Sequence, residues 1–347
     1  MITWLAASLA AWISASAAER SPSPAAPGVS EPTQVAVFVH GADDQRLAIA
    51  DLRSGKLQMI SPEGVVPYEA TWSSTGARLS YRIADVFMVH VDGVSPDRPL
   101  FKGTSFGPTS VYAYSPDDRW LGAALRDVVA FLPLAAAPPG SPAPAVVPIA
   151  GCGIPELRWS PDGEHLLALC TTGATSPKLI RIALSDRTTS SQNADGVLRT
   201  LGWRADGELV VVRRRGSGEE PAILLPSGKS RALYKRQENQ FALFYFSGPD
   251  QTLFAQGGED SGDATALRLA GPAPNASRAW LKSFPRLKDL GFSSDGRWVL
   301  FVQPLGGDRA GGEVYLVGTG MENPRKVLSA TSARSFSQPM SRPVPPR

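Results

Sequence analysis

Gly103-Thr104-Ser105-Phe106-Gly107 has the G-x-S-x-G spacing that presents a serine nucleophile on a sharp strand-to-helix turn. Such a serine needs a histidine base, an acidic orienting group and an α/β domain to hold them. The flanks here, "RPLFKG" and "SVYAYSP", are both strand-like, so Ser105 reads as a loop residue between strands. The three histidines are spread along the chain. His90 and Asp92 lie two apart in "FMVHVDG" and would share a strand face, where a carboxylate can orient an imidazole. His40 ends an apolar run and His165 follows a turn, and the histidines do not assemble into one site. No His/Cys/Asp cluster has ligand spacing, so neither a metal site nor a cofactor is expected. No catalytic residue is assigned.

Asp162, Asp206 and Asp295 each precede a glycine (Gly163, Gly207, Gly296) in the pattern aromatic-x-x-Asp-Gly. There aspartate bonds its own backbone and glycine takes the left-handed conformation, so these carboxylates read as turn formers. Cys152 and Cys170 flank the Ser160–Gly163 turn. If that turn closes a hairpin, facing residues sum to about 323, and Cys170 lies opposite roughly residue 153. In an exported protein a disulfide is the expected outcome, stabilising by roughly 3 kcal/mol, with two free thiols as the alternative.

These residues belong to a repeat. Trp72-Ser-Ser-Thr-Gly76, Tyr114-Ser-Pro-Asp-Asp118, Trp159-Ser-Pro-Asp-Gly163, Trp203-Arg-Ala-Asp-Gly207, Phe246-Ser-Gly-Pro-Asp250 and Phe292-Ser-Ser-Asp-Gly296 have leading aromatics 42, 45, 44, 43 and 46 residues apart. A strand-built repeat of that period is a β-propeller blade. Between 64 and 102, "YEATWS", "ARLSYRI", "DVFMVHV" and "RPLFKG" give its four strands. A lone four-stranded sheet cannot bury both faces, so Trp72, Trp159 and Trp203 are expected to pack between blades.

Before the first motif, "VAVFVH", "RLAIADL" and "KLQMIS" match the second, third and fourth strands of a blade without its first. Phe336-Ser337-Gln338-Pro339, 44 residues beyond Phe292, is a degenerate blade start with no blade after it. The C-terminal strand is therefore expected to complete the N-terminal blade and remove the open edge. The expected fold is an all-β propeller of seven blades, six or eight being the alternatives.

The 347 residues carry a formal net charge of +3, too mild to point to nucleic acid. Arg213-Arg214-Arg215, followed by Glu219-Glu220, and Lys235-Arg236, followed by Glu238, read as solvated turns. Residues 1–18, "MITWLAASLAAWISASAA", resemble a cleaved secretory signal peptide, and retention as a membrane anchor is the alternative. A Pro-rich leader (19–34), the propeller (35–340) and a tail (341–347) follow, with no later transmembrane segment. The Pro/Ala stretch 134–148 reads as a protruding loop.

The repeat resembles that of exported TolB-like propellers, whose blades carry W-S-P-D-G followed by two arbitrary and two apolar residues. Trp159 to Leu167 matches throughout and Phe292 to Leu300 nearly so. The resemblance covers about residues 35–340 and implies an exported propeller that binds envelope proteins. The Tol-system protein has an α/β domain ahead of its propeller, whereas here the leader runs into the first strand, so a direct Tol role is not implied. The reading is a monomeric, non-enzymatic scaffold, periplasmic or secreted, for protein or ligand binding in the bacterial cell envelope. An enzyme acting on a peptide or glycan at the channel mouth is the alternative.

Overall fold

A computed structural model describes residues 31–84, 86–102, 111–125, 128–134, 145–149, 151–171, 177–204, 207–216, 218–233, 241–247, 252–257, 264–270, 277–281, 288–293, 296–305, 311–319, 323–331 and 334–343. These residues form strands and turns throughout, in five antiparallel sheets of four strands and one of eight, whose two four-strand halves are joined by the single Gly312–Phe336 pair. In chain order the groups span 67–102 (blade 1), 112–148 (blade 2), 153–193 (blade 3), 197–232 (blade 4), 241–281 (blade 5) and 288–328 (blade 6). In blade 7, strand Ser335–Ser341 pairs with Gln34–His40, which continues into Gln45–Asp51 and Leu57–Met59. The first strands of blades 2 and 3, 3 and 4, 4 and 5, 6 and 7, and 7 and 1 lie against one another, so the first strands form the inner wall.

The Trp-Ser-Pro-Asp-Gly residues build one hydrogen-bonded loop. In blade 3 the Ser160 N–H donates to His165 O and the Gly163 N–H to Ser160 O, both at 2.9 Å. Ser160 Oγ donates to Asp162 and accepts the His165 N–H, while Asp162 accepts the Glu164 N–H at 2.9 Å. Gly163 has φ +73°, which an L side chain resists. Ser73 and Arg78, Ser115 and Trp120, and Ser293 and Trp298 repeat the outer hydrogen bond. Asp118 takes the glycine position in blade 2 with φ +55°. Its carboxylate reaches back to the blade 1 turn and accepts the Ser74 and Thr75 N–H groups at 2.7 and 3.2 Å.

Four residues, not two, separate Ser160 from His165, so Trp159 faces Leu166 and the pairing sum is 325 rather than 323. A β-bulge between Gly153 and Glu156 then shifts the register by one, and Gly153 faces Thr171. Cys152 and Cys170 meet across this irregularity with Cα atoms 5.3 Å apart and are joined as a disulfide.

The blades bury their faces against each other. Trp72 packs with Leu79 and Tyr81 of blade 1 and with Phe38, Leu47 and Ile49 of blade 7. Trp159 lies in a cluster with Trp120 and Phe131 of blade 2, and Trp203 lies against Leu167 and Leu169 of blade 3. Two indole N–H groups cross the seam to the preceding inner strand, Trp72 to Met340 O at 3.0 Å and Trp159 to Ala113 O at 2.9 Å.

The ends meet in blade 7, where Val35 faces Ser341 and Val39 faces Phe336. Trp72, Trp159 and Phe292 face Leu79, Leu166 and Val299, the second residues of their partner strands. Val35 is the matching residue here, so Ser341 and not Phe336 stands at the level of the blade-start aromatics. The connection into this strand is five residues longer than the repeat alignment allows.

Two further expectations are corrected. Arg213–Arg215 are not turn residues: they lie in strand Leu209–Arg215 and pair with Gly218–Leu224. Glu220 is fully buried beneath them, accepting from Arg213 Nε at 2.7 Å and Arg215 Nη1 at 3.1 Å. The stretch 134–148 is not all loop, because Ala145–Pro148 forms the outer strand of blade 2. Lys235 and Arg236 lie outside the described residues, as do residues 1–30, which contain the expected signal peptide.

Candidate functional site

Every inner strand except the three-residue Tyr112–Tyr114 carries a β-bulge. A bulge inserts a residue, bends the strand and re-aims a side chain. Glu69 (φ +54°), Asp289 (φ +47°) and Gln338 (φ +46°) occupy left-handed positions at three of them. Left-handed backbone costs an ordinary residue roughly 1–2 kcal/mol, so neighbouring contacts must offset it.

Those contacts are polar and run between blades. Asp289 Oδ2 accepts the Gln338 N–H at 3.2 Å. Glu156 Oε2 accepts the Thr200 N–H at 2.5 Å and its hydroxyl at 2.7 Å. Glu69 O accepts the Tyr112 hydroxyl at 2.9 Å, and its carboxylate takes Arg82 Nη1 at 2.7 Å. Arg82 is fully buried between the Tyr68 and Phe87 rings, 4.8 and 5.0 Å from their centroids, and its Nε and Nη2 have no hydrogen-bond partner among the described residues.

Glu69, Glu156 and Asp289 each stand three residues before an aromatic, in "EATW", "ELRW" and "DLGF". That spacing is a signal readable in the sequence. Among the described residues no three His, Cys, Asp or Glu side chains are grouped to hold a metal ion.

Two of the three histidines, His40 and His90, have polar side-chain neighbours. Ser337 Oγ lies 2.6 Å from His40 Nε2, a contact spanning 297 residues of chain. Burial pushes His40 below the usual histidine range against the opposing charge of Asp289, so the imidazole is neutral near pH 7. His90 is buried, and its Nδ1 lies 2.8 Å from Asp97 Oδ1. Tyr81 donates to the other Asp97 oxygen at 2.6 Å. Asp92, the partner suggested by sequence, sits in the turn after the His90 strand with Oδ1 3.5 Å from Nε2. The Asp97 hydrogen bond is the main influence raising His90 above the usual histidine range, opposed by burial and helped by Asp92.

Trp72, Trp159, Trp203 and Phe292 end their inner strands, and Gly163, Gly207 and Gly296 occupy left-handed turn positions. Asp162 is held below the usual carboxylate range by Ser160 and the Glu164 N–H. A shallow pocket of about 250 Å³ opens beside His165, lined also by Arg181, Ala183 and Thr188–Ser190. Ser105, Asp206 and Asp295 lie outside the described residues.

No protein-family model matches the sequence, and no curated protein matches it. Among solved structures, TolB from Acinetobacter baumannii is similar with a TM-score of 0.51 at 11% identity, covering 94% of this chain and 89% of that one. The fold is that of a TolB-like β-propeller. An oligogalacturonate lyase from Vibrio parahaemolyticus is similar with a TM-score of 0.61 at 11% identity over 88% of each chain. A puromycin hydrolase matches with a TM-score of 0.63 at 16% identity, over 86% of this chain and 52% of the hydrolase. At such identities the likeness is one of fold, and one fold hosts many functions.

Proposed function

We propose that this chain is an exported, seven-bladed propeller that acts as a rigid, non-enzymatic scaffold for a protein or ligand of the bacterial cell envelope. The observation that supports this reading is how the inner-wall polar groups are used. Glu156 and Asp289 are engaged in holding the backbone of the next blade. Glu156 is the costlier of the two to divert to chemistry, because Thr200, whose N–H it accepts, is 2% exposed and would lose its acceptor out of reach of water. The Gln338 N–H next to Ser337 is likewise taken by Asp289, so that backbone donor does not serve an oxyanion. Loops at the ring faces, carried by this stiff wall, then make the contacts. No helix among the described residues is long and apolar enough to cross a membrane.

A second reading, a propeller enzyme acting on a peptide or glycan, has the Ser337–His40 pair in its favour, since a serine within hydrogen-bond reach of a neutral imidazole is the elementary nucleophile–base unit. The similar structures also include a lyase and a hydrolase.

One experiment separates the two. The exported form is cross-linked in envelope extracts, each captured protein is purified, and the pair is reconstituted; in parallel the protein is screened for turnover of peptides, esters and polyuronides. A saturable stoichiometric complex without turnover is expected. Turnover abolished by Ser337→Ala or His40→Gln, with no reconstituted complex, overturns the scaffold reading.

A further inference from the structure

We propose that His90 is a proton-operated clasp that fastens the C-terminal end of the ring-closing strand to blade 1. The fastening element is Arg342, the residue after that strand. Its Nη1 donates to Asp92 Oδ2 at 2.6 Å and its Nε to Gly76 O at 2.7 Å, while its N–H donates to Gln34 O at 3.1 Å. The guanidinium also lies over the Trp72 ring, 5.1 Å from the centroid. One side chain thereby ties the C-terminal strand to blade 1 and to the first residue of the N-terminal strand.

Asp92 is shared between Arg342 and His90. Its Oδ2 holds Arg342, and its Oδ1 faces His90 Nε2 at 3.5 Å. Asp97 from the outer strand, with Tyr81 behind it, takes His90 Nδ1, so Nδ1 carries hydrogen in either charge state. The groups facing His90 are therefore Tyr81, Asp92 and Asp97 of blade 1, and Arg342 and Gln34 of blade 7, reached through Asp92.

Charge then resides on Nε2. In neutral His90 this nitrogen presents a lone pair to the Asp92 carboxylate, and it is buried with no hydrogen-bond partner among the described residues. The two repel, and Asp92 is not oriented. In protonated His90 the same nitrogen becomes a cationic N–H aimed at Asp92, which places the other carboxylate oxygen on Arg342. Two carboxylates around one imidazole favour the proton, in line with the upward direction for His90. A histidine raised on folding contributes stability that is full below its unfolded value and lost as pH rises through the folded one. The clasp is closed in mild acid and loosened in alkali, whatever the ring binds.

Hydrogen exchange of the intact chain, read by mass spectrometry at pH 5.5, 7.0 and 8.5 and corrected for intrinsic rates, tests the clasp on peptides covering 335–342. Protection in the wild type should fall about fivefold or more from the lowest to the highest pH, while a peptide over 165–171 stays level. His90→Gln should lack the dependence and show the alkaline protection at every pH. Asp92→Asn, a change at a half-exposed side chain that leaves the core intact, should do the same. A wild-type profile that stays flat, or one retained in His90→Gln or Asp92→Asn, overturns the proposal.

Discussion

Removing the Cys152–Cys170 bridge should lower stability by an amount set by the loop it closes. The cysteines are 18 residues apart. In the chain-entropy model such a loop restricts the unfolded ensemble by about 11 cal/mol/K, or roughly 3 kcal/mol at 25 °C. A propeller of about 310 residues unfolds with an entropy near 0.65 kcal/mol/K, so the melting point should drop by roughly 5 °C. Reduction by a phosphine isolates this term, because both thiols stay in place. The Cys152→Ala, Cys170→Ala double variant should fall somewhat further, since both residues are about 5% exposed and sit in the core between blades 2 and 3. The assay is a thermal melt of the protein with and without reductant, beside a thiol count by non-reducing mass spectrometry. Two alkylatable thiols in the untreated protein, or a melting point unmoved by reduction, would refute the reasoning.

Glu156→Ala should destabilise by about 2 kcal/mol in urea titration, because the N–H of Thr200, 2% exposed, loses its acceptor; Glu156→Gln should recover much of the loss. Arg82→Met should be neutral or stabilising by about 1 kcal/mol, since it removes a buried cation with two unpartnered nitrogens and leaves a half-exposed Glu69; a loss above 1 kcal/mol would show those nitrogens are satisfied. His40, lowered by burial, binds its proton less readily in the folded state, so its contribution is present at and above the ordinary histidine value and lost as pH falls below it. His40→Gln should accordingly flatten the acid side of a melting-point profile between pH 5 and 7.

Much of the architecture was legible because a propeller writes its turns once per blade. Ser160, Asp162 and Gly163 bond within six residues, so their chemistry is local, and four siblings with the same outer hydrogen bond or its close variant repeat it. Trp72 and Trp159, which lie in clusters drawn from two blades, recur at blade period as the turns do. The polar clusters were far less legible. Asp97 is close to His90 in sequence, yet only the fold of the outer strand shows that it, and not Asp92, is the hydrogen-bonded partner. The Arg213–Arg215 run looked solvated because periodic charge cannot show that Glu220 faces inward beneath it.

The sequence by itself determined the repeat, its turns, the aromatic seams and the need for the C-terminal strand to complete the N-terminal blade. Each depends on contacts within one repeat or between adjacent copies, and strand periodicity encodes both. Only the tertiary structure decided the register. A loop longer by two residues and a one-residue bulge moved the pairing opposite Cys170, and a longer connection put Ser341 at the level expected for Phe336. Ser337 with His40 and Arg342 with Asp92 join residues 297 and 250 positions apart. Such pairs depend on how the two ends of the chain meet, and a one-residue slip in a strand turns every side chain to the opposite face.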